Sequence, residues 1–105
     1  MLQWCTKALE SQAVFKERLD ALGLDGKWQE FQDLGWSTYW TFAYASSYMP
    51  GNFDDSKLLQ EVVLKFYGDV EHVKKDALGR LYFESYTVAT AELRRRRERT
   101  EDDAP

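Results

Sequence analysis

The chain has 105 residues, which is enough for one domain with a modest core. Its 44% hydrophobic and 30% charged residues are typical of a globular protein, and a net charge of −4 disfavours bulk attraction to nucleic acid. One cysteine excludes an internal disulfide framework, and the lack of a long apolar run argues against a membrane-spanning helix. We expect an intracellular protein with one domain over residues 1–99 and an acidic, disordered tail at 100–105.

The start of the chain predicts a helix with a defined end. A helix is predicted over Lys7–Leu22, because Phe15 and Leu19 fall on one apolar stripe with their neighbours. Gly23 then suits a left-handed C-terminal cap, and Leu24 is the apolar residue that packs back onto the last turn. This pattern predicts a sharp stop after the first helix.

Two short helices are predicted next. Asp25 is the expected N-cap of the second helix, and Gly35–Trp36 repeats the stop formed by a glycine and an apolar residue. Ser37 or Thr38 is the expected N-cap of a third helix that runs to about Ser47.

The second half of the chain predicts a turn and two longer helices. The turn is Met49–Asn52, and the helix after it is expected to begin near Asp54–Ser56 and to end at Gly68. The last and longest helix is predicted over Ala77–Arg99, with an inner stripe of Leu78, Leu81, Tyr82, Ser85, Ala89 and Leu93. Strand-like alternation is weak throughout, so the sequence predicts an all-α, compact bundle of about five helices with glycine turns between the short ones.

The stretch LGWSTYWTFAYASSYMPG, residues 34–51, contains six aromatic residues. It lies in a segment without strongly charged residues, which is typical of the buried centre of a domain. However, buried indole N–H and phenol O–H groups need hydrogen-bond partners, so some of these rings are expected at the surface, where Trp and Tyr dominate binding hot spots. Core packing and partner binding both stay open, and the candidate partner-binding residues are Trp36, Tyr39, Trp40, Tyr44 and Tyr48.

The second candidate feature is a basic run near the C-terminus, formed by Arg94, Arg95, Arg96, Arg97 and Arg99. Cations at this position oppose the negative end of the helix dipole, so a solvated helix end is one interpretation. Contact with RNA or DNA phosphates, or a nuclear address, is the other.

No residue pattern indicates catalysis. His72 is the single histidine and lies in a polar segment, with no nucleophile or acid nominated beside it. Cys5 has no second cysteine for metal binding, and phosphate-loop, dinucleotide and nucleophile-elbow motifs are absent from the sequence. We therefore predict a protein that is not an enzyme and uses no metal, cofactor or small-molecule substrate.

Three segments carry a resemblance to a known kind of domain: ALESQAVFKERLDALGL, FAYASSYMPGNFDD and LYFESYTVATAELRRRRERTEDDAP. From about Ala8 to Pro105, the chain resembles an uncharacterised helical domain found in many copies among dinoflagellate-type protist proteins, some of them mobile-element or retroelement-like. FAYASSYMPG and the ERTEDDAP end are its most specific parts, whereas DGKWQEFQDLGWSTYW is richer in Trp than the resemblance leads us to expect. It supplies no functional residues, and it implies that a longer polypeptide follows Pro105.

The turn at Leu34–Trp36 is also similar to those of helix-hairpin-helix and sterile-alpha-motif-like folds. The nucleic-acid version uses a glycine-rich hairpin whose amides meet phosphate, so the protein-interaction version fits this acidic chain better.

The sequence therefore predicts a small helical protein-interaction or adaptor module. Its partner would be another protein or a second copy of the chain. The alternative is a nucleic-acid-associated module of a mobile-element protein, which contacts phosphates through Arg94–Arg99.

Overall fold

The computed structural model describes residues 9–103, with side chains described as far as residue 97. This part of the chain contains five helices and no strand, which confirms the predicted all-α fold with a long C-terminal helix. Helix α1 is Gln12–Ala21, α2 is a 3-10 turn at Asp25–Lys27 that continues as Trp28–Asp33, and α3 is Tyr39–Phe42. Helix α4 has the three continuous parts Ser56–Leu58, Leu59–Val63 and Leu64–Tyr67, and α5 is Lys75–Asp103.

Both predicted stops between the short helices are confirmed. Gly23 has a φ of 76°, and the amide of Leu24 donates to the carbonyl of Leu19 at 2.8 Å. Gly35 has a φ of 79°, and the amide of Trp36 donates to the carbonyl of Phe31, also at 2.8 Å. These are the hydrogen bonds of a Schellman motif, and they turn the chain sharply at each glycine.

The first two helices differ from the prediction in different ways. Leu9 and Glu10 are helical, but the predicted first helix is interrupted at Ser11, whose hydroxyl accepts a hydrogen bond from the amide of Val14 at 3.1 Å and caps α1 there. The predicted start, Lys7, lies outside the described residues. The predicted N-cap of the second helix, Asp25, is wrong, because Asp25 is the first residue of the 3-10 turn and Leu24 occupies the N-cap position.

Helix α3 has the predicted start but not the predicted end. Thr38 caps it through a reciprocal pair, in which the Thr41 amide donates to Oγ1 of Thr38 at 3.2 Å and the Thr38 amide donates to Oγ1 of Thr41 at 3.1 Å. The helix ends at Phe42 and does not reach Ser47. Beyond it, Ser46 and Ser47 bond to Glu61 of α4, and this long-range contact holds the chain in a non-helical path.

Helix α4 contains a π-helical segment at Leu59–Val63. A π turn adds one residue to a helical turn and so changes which residues share a face. Here the buried residues of α4 are Leu58, Val62, Val63 and Phe66. The helix ends at Gly68, which has a φ of 69°, as predicted.

Helix α5 is longer than predicted at both ends. It begins two residues before Ala77 and continues past Arg99, so its backbone includes Thr100–Asp103 of the predicted tail. Its inner stripe is confirmed up to Ala89, but Leu93 is 41% exposed, whereas Glu92 is only 1% exposed. The prediction of Leu93 as a core residue is wrong, because Glu92 takes the buried position beside it. Glu92 can be buried there because two arginines of its own helix neutralise its carboxylate.

The core is built around a cluster of aromatic rings to which all five helices contribute, with Phe66 of α4 lying 4.4 Å from Phe31. The ring of Phe42 lies 5.9 Å from Phe15, 5.4 Å from Phe31 and 5.9 Å from Tyr82, all in edge-on arrangements. At the periphery, the guanidinium of Arg18 pairs with the carboxylate of Glu84, which ties α1 to α5. The rings supply the buried area that a domain of this size needs.

A search of the described helices for a membrane span finds none with both the length and the apolarity that crossing requires.

Candidate functional site

The structure divides the five candidate aromatic residues between the core and the surface. Tyr39 is buried, with its ring 5.4 Å from Phe15, and burial raises the pKa of its phenol. Trp36 is half-buried, and its ring lies 5.8 Å from Phe42 and 5.9 Å from Phe66. These two residues mainly pack the domain, so they have little surface to offer a partner.

Trp40 and Tyr44 form a second group near α5. Their ring centroids are 6.2 Å apart in an edge-on arrangement, and Tyr44 is 59% exposed. The guanidinium carbon of Arg96 lies 5.3 Å from the centroid of Trp40. The structure therefore joins part of the aromatic segment to part of the arginine run, two features that are about fifty positions apart in sequence.

The segment of residues 44–53, which we call the 44–53 loop, is fastened to the domain although it is not helical. The hydroxyl of Tyr82 lies 2.9 Å from the carbonyl oxygen of Ser46 and 2.8 Å from that of Tyr48. The side chain of Tyr48 is half-buried, and its own hydroxyl donates to the carbonyl of Asn52 at 2.9 Å. Tyr82 is 1% exposed, and this burial raises the pKa of its phenol to about 12.

A carboxylate holds the other side of the 44–53 loop. Oε1 of Glu61 accepts hydrogen bonds from the Ser46 hydroxyl at 2.8 Å, the Ser47 amide at 2.9 Å and the Ser47 hydroxyl at 3.0 Å. The bond from the Ser47 amide is the main cause that lowers the pKa of Glu61, and the two hydroxyls add to it. The loop is thus held between α4 and α5 and has a defined shape.

Two large apolar side chains project from this fastened loop. Met49 is 58% exposed, and Phe53 is fully exposed. The predicted turn at Met49–Asn52 is confirmed, with Gly51 at a φ of 100° and the Asn52 amide donating to the Met49 carbonyl at 3.1 Å. Sequence analysis did not select Met49 or Phe53, since a lone apolar residue beside a turn has no local signal. We call Met49 and Phe53 the loop surface.

The arginine run is partly organised by the buried Glu92. Nε of Arg95 donates to its carboxylate at 3.0 Å, and Nε of Arg96 donates to it at 2.9 Å. Arg94 and Arg97 are exposed, while the side chain of Arg99 lies outside the described residues. We call the group of Trp40, Tyr44, Arg94, Arg96 and Arg97 the arginine corner.

A shallow groove of about 220 Å³ runs beside the buried Tyr39. It is lined by Tyr39, Phe83, Glu84, Thr87 and Val88, and its one carboxylate is the one that pairs with Arg18. A general acid or base needs a reacting group in reach, and this groove offers only the paired carboxylate and hydroxyls. Among the residues that the structure describes, there is no group of three or more metal-ligating side chains.

Comparison with protein-family models, with curated proteins and with solved structures finds no match to this chain. The resemblance to the dinoflagellate-type helical domain, and to sterile-alpha-motif-like folds, therefore stays a prediction.

Proposed function

We propose that the protein is a non-catalytic interaction module that binds another protein through the loop surface. The observation that carries this proposal is the full exposure of Phe53 together with the 58% exposure of Met49 on one fastened loop. An exposed apolar side chain is common on its own, but two on one loop whose backbone is held in place give a partner an apolar anchor of the kind found in binding hot spots.

The fastening of the loop favours binding because it lowers the entropic cost of association. The contacts from Tyr82 and Glu61 hold residues 46–48, immediately before Met49. The bond from Tyr48 to the carbonyl of Asn52 then fixes the residue before Phe53. A partner therefore does not have to order the loop, and more of the contact energy appears as affinity.

The charges next to Phe53 indicate the chemistry of the partner. Asp54 and Asp55 follow it directly and are exposed, and the hydroxyl and amide of Ser56 lower the pKa of Asp54 below its ordinary value, which already leaves the carboxylate ionised at neutral pH. An apolar anchor with two adjacent negative charges fits an apolar cleft that is bordered by Lys or Arg. We assign the partner as a protein with such a cleft.

Site-specific photo-crosslinking tests this proposal. A photoreactive phenylalanine is introduced at Phe53 and, as the control, at Val73, which is 86% exposed on another loop. We expect position 53 to form one discrete adduct with a protein partner and position 73 to form none. The captured protein is then purified, and its affinity is measured for the parent chain and for Phe53→Ala, Met49→Ala and Val73→Ala.

The proposal predicts that Phe53→Ala weakens binding about 30-fold, the effect of a hot-spot residue worth about 2 kcal/mol. Val73→Ala removes a similar exposed apolar group and should leave affinity unchanged. Equal affinities for the parent and Phe53→Ala would overturn the proposal, as would an adduct that forms equally well from position 73. An adduct with the mass of two chains would identify a second copy as the partner in place of another protein.

A further inference from the structure

We propose a second binding site, for single-stranded nucleic acid, at the arginine corner. Its Tyr44 belongs to the 44–53 loop, but its arginines lie further along α5: Tyr86, whose hydroxyl contacts the sulfur of Met49 at 3.5 Å, precedes Arg94 by eight helical positions. Eight positions of an α-helix correspond to about 12 Å.

Positive charge is concentrated in one run of an otherwise acidic chain. The net charge is −4, so the chain without its five clustered arginines carries −9. Glu92 is the buried partner of Arg95 and Arg96 and offsets one of their charges, while Arg94 and Arg97 project into solvent. The same helix carries Glu98, Glu101, Asp102 and Asp103, so the attraction for an anion is local to the exposed Arg94 and Arg97 and does not extend over the whole end of α5.

Two aromatic rings, Trp40 and Tyr44, accompany these charges. The guanidinium carbon of Arg96 lies over the Trp40 ring, 5.3 Å from its centroid, while its Nε donates to Glu92, so two contacts hold the guanidinium in place before any ligand arrives. Tyr44 stands edge-on to Trp40 and is 59% exposed. Unpaired bases stack on aromatic rings and on arginine guanidinium planes, while neighbouring arginines contact the phosphates.

The arrangement of the arginines fits a single strand better than a duplex. Consecutive arginines on a helix are separated by about 100°, so Arg94–Arg97 point in several directions and do not form a face that fits a groove. A long, stiff duplex would also meet the acidic remainder of the domain. A short, flexible strand can bring its phosphates to Arg94 and Arg97 and a base to Tyr44 or Arg96.

Fluorescence anisotropy with labelled U10, dT10, a 20-base-pair DNA duplex and a (Glu)10 peptide tests the proposal. We expect U10 or dT10 to bind at 50 mM salt, with the duplex and the peptide at least tenfold weaker. About three phosphate contacts give a salt slope near −2, so affinity falls about 20-fold between 50 and 200 mM salt. The difference between U10 and dT10 identifies RNA or DNA as the preferred source of the strand.

Matched variants locate the site. Arg94→Gln with Arg97→Gln should reduce the slope by about 1.4, since each lost single-strand contact accounts for about 0.7. The control pair Lys16→Gln with Lys57→Gln makes the same change in charge at exposed positions of other helices. It should leave the strand affinity and the salt slope close to those of the parent. Tyr44→Ala should weaken binding about tenfold by removing a stacking platform, while Phe83→Ala, at an aromatic residue that is 55% exposed and outside both proposed sites, should leave strand binding unchanged.

Several results would overturn the proposal. These are no binding of either strand at 50 mM salt, binding of (Glu)10 as tight as that of U10, and equal losses from the arginine pair and the lysine pair. Circular dichroism of each variant establishes that its helices are intact, so that loss of binding is not loss of fold. The two sites fail independently, because Phe53→Ala affects only the protein partner and the arginine pair only the strand.

Discussion

Replacing Tyr82 with Phe removes one buried hydroxyl and should loosen the 44–53 loop without emptying the core. This hydroxyl lies 2.9 Å from the Ser46 carbonyl and 2.8 Å from the Tyr48 carbonyl. A hydrogen bond contributes about 1 kcal/mol net, and a buried carbonyl left without a donor costs about 1 to 3 kcal/mol. We therefore expect Tyr82→Phe to lower the free energy of unfolding by about 2 kcal/mol, which corresponds to roughly 8 to 16 °C in Tm.

Urea unfolding followed by Trp fluorescence measures this change, and Tyr86→Phe is the matched control. The hydroxyl of Tyr86 contacts only the weakly accepting sulfur of Met49 at 3.5 Å, so its removal should cost less than about 0.5 kcal/mol. The slope of the unfolding free energy against urea should stay the same in both variants, because neither changes the surface exposed on unfolding.

High pH gives an independent check of the same residue. The pKa of Tyr82 is about 12 in the folded state and 10 without the burial, so the unfolded state loses this proton first. The stability that depends on the protonated Tyr82 phenol is fully present below about pH 10. The free energy of unfolding then falls by about 3 kcal/mol in total as pH rises towards 12. Tyr82→Phe should lack this part of the alkaline loss. Tyr82 does not fasten the loop if Tyr82→Phe and Tyr86→Phe have the same free energy of unfolding and both lose as much stability as the parent between about pH 10 and 12.

Three further predictions concern local structure. The hydrogen bonds to ionised Glu61 lower its pKa, so the stability they contribute is fully present above the ordinary pKa of 4.5 and is lost as pH falls through the lowered pKa. When urea unfolding is repeated from about pH 5 down to about pH 3, the parent should therefore lose more stability than Glu61→Gln. Thr38→Ala removes the reciprocal cap of α3 and should cost about 1 kcal/mol in thermal unfolding, and a cost below about 0.3 kcal/mol would contradict the role of the cap. Gly68→Ala places a side chain at a residue with a φ of 69° and should lower the free energy of unfolding by about 1 kcal/mol. Gly26 has neither a positive φ nor a neighbour within 4 Å of an added Cβ, so Gly26→Ala should leave it unchanged. Equal losses of stability in the two variants would refute the strain at Gly68.

Local sequence signals predicted the fold where the structure depends on local hydrogen bonds. Gly23–Leu24 and Gly35–Trp36 end their helices as expected, because the Schellman motif needs only a residue that tolerates positive φ and an apolar residue after it. The cap at Thr38 is of the same kind. The end of α3 was missed because Glu61, which holds Ser46 and Ser47, lies in a different helix.

The candidate site was only partly predictable for a similar reason. Periodicity selected Leu93 for the core, yet Glu92 occupies the buried position because Arg95 and Arg96 follow it at the spacing of helical neighbours. The nearness of Trp40 to Arg96 depends on how α3 packs on α5, which no local pattern encodes. Met49 and Phe53 carry no sequence signal, since their exposure follows from the path of the fastened loop.

The contact between Tyr82 and the 44–53 loop also has a consequence for protein synthesis. Tyr48 and Tyr82 are 34 residues apart, so the loop is translated well before the side chain that fastens it. At about 5 to 20 residues per second, a ribosome needs roughly 2 to 7 s to cover that distance. During that interval the emerging loop lacks its final shape, and a partner that recognises the shape meets only chains in which α5 has been made and docked.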